Sequence, residues 1–401
     1  MRPFTGTLPF ADALRIILEA AEPVARTETV AIDAADGRVA ARDVAAAVDV
    51  PPFDRAAMDG YAVVAADTAA ATPMTPVTLA CVERLFTGQV SARGLTPGTC
   101  VEIATGAPVP AGADAVVMVE DTARDDGRVR VFKPAAPRQN VGARAADIAR
   151  GHRVVAAGDV LGPARLGALA ATGVNALEVF ARPSVAVLST GNEIVAPGRP
   201  LGPGQLYDVN RFTIDAVVRR HGGVTTPLDA AADTVAALDR AIDAGLSHDT
   251  LVFSGGTSVG DRDLVVDAVR ARGEVLFHGI AVKPGKPTLF GRIGRTAVFG
   301  MPGYPASCLS NAYLLLLPFV RRLARLPPWE PRTLTLPLAR RVASVPGRHQ
   351  FYTVRIVNGR AEPAFKASGD ITSLADADGY FEIPADVDAV AEGTVVKVIE
   401  F

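Results

Sequence analysis

A chain of 401 residues that is 49% hydrophobic and 21% charged is too long for a single core and predicts two to four globular domains. Its 41 basic and 43 acidic residues are interspersed and leave a net charge of −2, which excludes the basic stripe of a nucleic-acid binder or a membrane-surface patch. Three widely spaced cysteines and five histidines without an i,i+4 pair exclude a disulfide framework and a thiolate or helical-histidine metal motif.

The N-terminal segment MRPFTGTLPFADALRIILEA lacks the compact apolar run and small-residue cleavage site of a signal peptide, so a cytoplasmic location is expected. The most apolar stretch, Ala312–Val320, contains Pro318 and is too short to span a bilayer. A helix is predicted over Asp12–Glu22, then short strands to about Val48, with Pro51–Pro52 marking a break. From there to Pro134 the strand-like runs YAVVAAD, PVTLACVERLF, TCVEIATG, AVVMVED and RVRVFKP alternate with turns, a β-rich module without a long helix. The stretch Pro134–Arg182 carries a predicted helix over Pro163–Thr172 after a Gly-Pro start. Packing that stretch beside the N-terminal segment makes the β-rich module an insertion.

Between Ser184 and Arg325 strands feed helices. Strands are predicted at Val185–Ser189, Val224–Leu228, Thr250–Ser254, Glu274–Ile280, Thr288–Phe290 and Thr296–Phe299. Helices are predicted at Phe212–His221, Thr234–Ala244, Asp263–Ala271 and Pro305–Leu326. This order predicts a mostly parallel sheet covered on both faces. Pro327–Pro328 reads as a linker, and Thr333–Phe401 as a strand-rich small barrel or sandwich.

Four strands in the α/β region run straight into loops of small and polar residues: SVAVLSTGNE, TLVFSGGTSVGDRD, AVKPGKPTLFG and TAVFGMPGYPAS. Ligands of such sheets bind at the carboxyl ends of the strands, where glycines let backbone amides approach an anion. The loop Ser254–Gly260 lies between a strand and a helix and reads as an anion nest carrying Ser254, Thr257, Ser258, Asp261 and Asp263. It lacks the dinucleotide glycine spacing, and Pro287 after Lys286 excludes a Walker loop. Lys283 and Lys286 flank Pro284-Gly285, a turn that can hold two ammonium groups near one point for a phosphate or doubly charged oxyanion. On local physics Asp59-Gly60 reads as a hairpin turn, Asp208 and Asn210 as helix N-caps, and Glu193 as a loop carboxylate. A participating metal would be a hard ion such as magnesium on oxygen ligands.

Taken in order, PPFDRAAMDGYAV, TGAPVPAGADAVV, STGNEIVAPG, GQLYDVN, SGGTSVGDRD, VKPGKPTLFG and GMPGYPAS resemble the MoeA family, the molybdopterin molybdenumtransferases, over nearly the whole chain. The resemblance implies an α/β and β multidomain fold. Its parts would be an N-terminal linker domain (1–48 plus 135–181), an inserted β-rich domain (49–134), a three-layer α/β domain of the molybdopterin-binding, MogA-like type (182–326) and a small C-terminal β-barrel (327–401). It further implies a homodimer, a molybdopterin adenylyltransferase as partner, and molybdenum cofactor biosynthesis by Mg2+-dependent insertion of molybdate into molybdopterin-AMP with release of AMP. The alternatives are a molybdopterin-binding scaffold, a divergent paralogue (inactive or tungstate-preferring) and, in third place, an adenylyltransferase.

Carried over by the same resemblance, the catalytic positions fall on Asp59, Asp147, Glu193, Asp208 and Asp263, with Asp208 and Asp261 at the magnesium end. Lys283, Lys286 and Ser307 are expected at molybdate. The remaining substrate contacts are expected from Thr190, Gly191, Ser254, Gly255, Gly256, Ser258 and Gly260, and from Pro302, Gly303 and Tyr304. Thr105, with Asp59, is expected to serve the partner subunit's cleft. The chain departs from the family pattern at Tyr304 (usually asparagine), at Ala145-Ala146 (usually Gly-Glu), at Ala56 or Ala57 and at Val209 (usually serine). The Tyr304 ring is predicted to narrow the pocket or stack on the pterin.

Overall fold

The computed structural model describes residues 6–228, 234–255 and 264–401. The chain forms two compact units, one of Met1–Glu28, Gly37–Val39 and Phe180–Phe401, the other of Thr29–Asp36 and Ala40–Val179.

The first unit holds an α/β domain. Its six strands are β1 (Ser184–Ser189), β2 (Val224–Pro227), β3 (Thr250–Ser254), β4 (Glu274–His278), β5 (Leu289–Ile293) and β6 (Thr296–Met301). They lie in the order β2-β1-β3-β6-β5-β4. Pairings from β2 to β6 are parallel, whereas β5 runs antiparallel to both neighbours. Five strands therefore point one way, and the expected mostly parallel sheet is present.

Alternate residues of each strand face opposite sides of the sheet. Val185, Val187, Val252, Phe290 and Phe299 pack into one core with helices α1 (Phe10–Ala20), α2 (Asn210–Arg220), α5 (Pro305–Asn311) and α6 (Leu317–Leu323). Ala186, Leu188, Leu251, Phe253 and Val298 face α3 (Val235–Gly245) and α4 (Leu264–Arg272) on the other side. The result is a three-layer sandwich.

Helix α1 starts two residues before its predicted limit because Pro9 occupies the N-cap, where a missing N–H costs nothing. The long helix predicted from Pro305 is instead two α-helices joined by a π turn at Ala312–Leu316. Pro318, which has no N–H to donate, thereby falls in the first turn of α6.

The C-terminal strands are β7 (Thr333–Pro337), β8 (His349–Val357), β9 (Arg360–Pro363), β10 (Gly379–Ile383) and β11 (Val395–Glu400). They run β8-β10-β11-β7, with β9 on the free edge of β8. A bridge between Leu338 and Ala361 joins the end of β7 to β9 and closes a small barrel around Leu338, Val354, Phe381, Ile383 and Val398. Val282–Lys283 extends the same sheet by pairing in parallel with His349–Gln350. The lysine loop is thus a strand of the barrel as well as a connection in the α/β domain.

The second unit contains a six-stranded sheet built from Gly60–Val63, Val77–Leu85, Thr99–Ile103, Ala115–Met118, Thr122–Asp125 and Arg128–Val131. The first and fourth predicted strands are shorter than expected, because Ala65–Thr68 and Val119–Asp121 turn into 3-10 helix. Short strands from either side of this sheet in the sequence pair with each other, Val44–Ala45 with Arg153–Val155 and Arg55–Ala56 with Val141–Gly142.

The hairpin turn expected at Asp59-Gly60 is absent. Gly60 opens a strand flanked by Thr99–Ile103 and Ala115–Met118. A Cβ there would lie 1.9 Å from the Val117 carbonyl oxygen, so the glycine serves close strand approach.

Candidate functional site

The loops that follow β1, β3 and β6 all leave the carboxyl edge of the sheet. The segment between β4 and β5 reaches the same edge, because β5 starts there and runs back. These loops, with two residues of the barrel region, line a cavity of about 580 Å³. Of the sequence-predicted residues it brings together Thr190, Glu193, Asp208, Ser254, Gly255, Lys283, Lys286, Pro302, Gly303, Tyr304 and Ser307. Gly191 lies in the first loop at φ +132, where a Cβ would meet the Glu193 carboxylate at 2.6 Å.

The edge is stitched loop to loop. The Thr190 amide donates to the Ser254 carbonyl (2.9 Å), and the Gly255 amide donates to the Met301 carbonyl (3.1 Å). Gly255 has φ +95, and a Cβ on it would sit 2.7 Å from the Thr190 carbonyl oxygen, so the residue that follows β3 must be glycine. Asn210, almost fully buried, donates from Nδ2 to Ser254 Oγ (2.7 Å) and to the Gly303 carbonyl (2.8 Å). One amide at the start of α2 therefore ties the second loop to the fourth.

Asp208 precedes the same helix. Its Oδ1 accepts from the Arg211 amide (3.1 Å), as an N-cap does, while Oδ2 accepts from Ser189 Oγ (2.6 Å). Both carboxylate oxygens have a donor, yet the group still lines the cavity.

Lys283 and Lys286 sit on a turn that is clamped from below. Gly285 has φ +106 and leaves no room for a Cβ. Buried Asn311 on α5 donates from Nδ2 to the Gly285 carbonyl (2.9 Å) and to Thr288 Oγ1 (2.6 Å), and Thr288 Oγ1 donates to the same carbonyl (2.8 Å). The two ammonium stems thus leave a fixed backbone on either side of Gly285.

A third cation, Arg348, and Ser368 complete the wall from the C-terminal part of the chain. The Ser368 carbonyl accepts from the amides of Ala306 (3.1 Å) and Ser307 (3.3 Å), so Ser307 has its hydroxyl, rather than its amide, to offer a ligand. Beneath them Cys308 is fully enclosed, and burial pushes its thiol up to about 12. It is a packing residue, not a nucleophile.

Local sequence carried no signal for Arg348, Ser368 or Asn311. Ser189 passed as a strand end and Asn210 as an N-cap. Gly256, Ser258, Gly260, Asp261 and Asp263 lie outside the described residues. Among the described residues no cluster of three histidines, cysteines or carboxylates is placed to hold a metal ion. The carboxylates that line the cavity, Asp208 and Glu193, are the hard oxygen donors that magnesium prefers.

Asp59, Thr105 and Asp147 belong to the second unit. Asp59 Oδ1 accepts from both the amide (2.7 Å) and the hydroxyl (2.9 Å) of Thr105, and these two bonds hold its carboxyl below the usual range. The structure therefore pairs two residues that the sequence had named 46 positions apart. Asp147 donates its amide to the Val50 carbonyl (3.0 Å).

The three-layer α/β sandwich gathers cations, hydroxyls and carboxylates at the carboxyl edge of its parallel strands, the place where open α/β sheets take their ligands. Family profiles match the chain. "MoeA N-terminal region (domain I and II)" matches residues 8–173, "Probable molybdopterin binding domain" residues 186–322, and "MoeA C-terminal region (domain IV)" residues 335–401. The chain belongs to the MoeA family. It is similar to molybdopterin molybdenumtransferase 2 of Mycobacterium tuberculosis, with 37% identity over 93% of this chain and 95% of that one. It is 34% identical to the molybdopterin molybdenumtransferase of Haemophilus influenzae over 76% and 75% of the two chains. The crystal structure of the molybdopterin biosynthesis MoeA protein from Pyrococcus horikosii superposes with a TM-score of 0.85 at 39% identity, over 98% of this chain and 99% of that one.

Proposed function

We propose that this chain is a molybdopterin molybdenumtransferase of molybdenum cofactor biosynthesis, taking adenylylated molybdopterin and molybdate and releasing AMP in a Mg2+-dependent reaction. The observation that carries the reading is the single cavity in which Lys283, Lys286 and Arg348 share a wall with Asp208, Glu193 and the Ser254 loop. Three cations suit a tetrahedral dianion and a phosphate together. The names of the relatives in Mycobacterium tuberculosis and Haemophilus influenzae support the same reading.

Within this reading Lys283, Lys286 and the Ser307 hydroxyl bind and orient molybdate, whose two charges the lysines match, with Arg348 as a third cation on the same wall. The Ser254–Gly255 end, with Thr190 and Gly191, receives the phosphates, and Asn210 ties that end to the Gly303 loop. Asp208 and Asp261 would hold magnesium, which when bound supplies charge neutralisation at the scissile phosphate, with Glu193 and Asp263 as further catalytic carboxylates. Asp59 and Thr105 serve the partner subunit's cleft in a homodimer, Asp147 is a further catalytic position, and a molybdopterin adenylyltransferase is the partner that hands over the substrate. The four-part division at 48/49, 134/135, 181/182 and 326/327 belongs to the same proposal, as does a cytoplasmic location. Among the described residues no helix is long and apolar enough to cross a membrane.

The test is to incubate the purified chain with adenylylated molybdopterin, molybdate and magnesium and to measure AMP. Release that needs all three, and falls in a Lys283→Ala, Lys286→Ala variant, is expected. No release under any of these conditions would refute the assignment.

A further inference from the structure

Tyr304 lines the cavity but takes no part in the roles assigned above. Tyr304 is 68% exposed, the most open large side chain on the cavity wall. Among the described residues its ring has no aromatic neighbour and its hydroxyl no hydrogen bond. Its backbone, by contrast, is held on both sides. Tyr304 occupies the N-cap of α5 (φ −68, ψ 126), and its carbonyl accepts from the Cys308 amide at 2.9 Å. Gly303 before it is bonded through its carbonyl to Asn210, and Pro305 after it has a restricted φ.

Position in the sheet adds a second argument. Its loop follows β6, which lies between β3 and β5. Ser254 and Gly255 end and follow β3, and the lysine turn leads into β5. The Tyr304 loop therefore leaves the sheet between the Ser254–Gly255 turn and the lysine turn. A ligand that reaches from Ser254–Gly255 to the lysine turn shares the cavity with this ring. A half-exposed aromatic, Tyr207, lines the same cavity with its hydroxyl tied to the Arg199 carbonyl (2.9 Å). Single exposed rings are ordinary on a protein surface; Tyr304 differs in lining the same cavity as Lys283, Lys286 and Asp208 on a backbone held from both sides.

We infer that Tyr304 is a specificity-determining residue that stacks on a flat nitrogen heterocycle of the bound substrate, so that the site prefers ring-bearing anions to bare oxyanions. The inference rests on the proposed function for the nature of that ring, which is either the adenine or the pterin of the adenylylated substrate. Both present an electron-poor fused face of the kind that stacks on tyrosine.

The experiment measures binding by calorimetry to the full chain, wild type and the variants Tyr304→Phe and Tyr304→Leu, with three probes: AMP, pterin-6-carboxylate and molybdate. Leucine keeps apolar bulk without the ring. It is expected to weaken AMP or the pterin about tenfold, the usual loss for one aromatic–base stack, whereas phenylalanine stays within about twofold of wild type. Molybdate affinity should be the same in all three proteins. Whichever heterocycle loses affinity identifies the ring that is stacked. The inference is overturned if leucine binds both heterocycles as wild type does, if wild type binds neither, or if molybdate weakens in parallel, which would mark a general collapse of the cavity. The Lys283→Ala, Lys286→Ala variant separates this from the broader reading. Unchanged molybdate binding there sinks the oxyanion site, while a ring-specific loss in Tyr304→Leu would still uphold the stack.

Discussion

Replacing Gly285 by alanine tests whether the lysine turn is positioned by the helix beneath it. The residue has φ +106, outside the range of ordinary L residues, and an added Cβ would fall 2.3 Å from Asn311 Nδ2 and 2.6 Å from Asn311 Cγ. Asn311 is fully buried, so it cannot swing into solvent. Either the asparagine gives up its bonds to Gly285 and Thr288, or the turn lifts. Backbone strain of this kind costs about 1–3 kcal/mol, and unpairing a buried amide costs about 1–3 kcal/mol. Partial relaxation leaves about 3 kcal/mol, a Tm lower by roughly 6–12 °C for a domain of this size.

The control is Gly294→Ala. Gly294 also has a positive φ, +60, but nothing lies within 4 Å of its Cβ position. It carries only the left-handed penalty, about 1 kcal/mol. Thermal unfolding of both variants, with molybdate titration of each, separates the terms. Gly285→Ala should lose more stability and should also weaken molybdate, because Lys283 and Lys286 flank the displaced residue. If Gly285→Ala is no less stable than Gly294→Ala and binds molybdate as wild type does, the clamp through Asn311 does not position the lysines.

Other outcomes follow from the same geometry. Asn210→Ala leaves Ser254 Oγ and the Gly303 carbonyl without their shared donor and should cost about 2 kcal/mol in chemical denaturation, with a larger loss of AMP release than of molybdate binding. Arg348→Ala removes one of three cavity cations and should weaken molybdate on the order of tenfold at low salt, the difference shrinking as ionic strength rises. His221 is buried, with Arg321 and Arg220 nearby, and these effects push its pKa down to about 4. The folded state therefore prefers the neutral ring, so stability is full above the unfolded value of about 6.5 and declines as pH falls toward 4. His221→Gln should flatten that part of the stability–pH curve by on the order of 2 kcal/mol, after allowance for solvent screening; a slope unchanged between pH 6.5 and 4 would refute it.

Much of this protein is written locally. A β-branched run ending in Ser-Gly-Gly or Pro-Gly needs only short-range sterics to become a strand and a tight loop, so the strands through Ser189, Ser254 and Met301 were legible with their loops. Their common edge was legible as well, because right-handed crossovers of a parallel sheet bring successive loops to the same side. Lys283 and Lys286 could be named because a three-residue spacing around Pro-Gly is itself a local statement.

Other features depend on groups brought together across long separations. The Pro305 helix was read as continuous, since the π turn reconciles Pro318 with packing on the sheet, which no local pattern encodes. Gly60 looked like a turn because its reason, the Val117 carbonyl, lies on another strand. Asn311 holds the lysine turn across 26 residues. Arg348 and Ser368 reach the cavity because Val282–Lys283 pairs with the barrel strand beginning at His349. Sequence alone thus determined most of the side chains that line the cavity, though not Arg348 or Ser368, through short-range backbone rules and residue type. The tertiary structure decided what holds that chemistry in place, because buried hydrogen bonds and strand pairings form between segments whose proximity only the packed core creates.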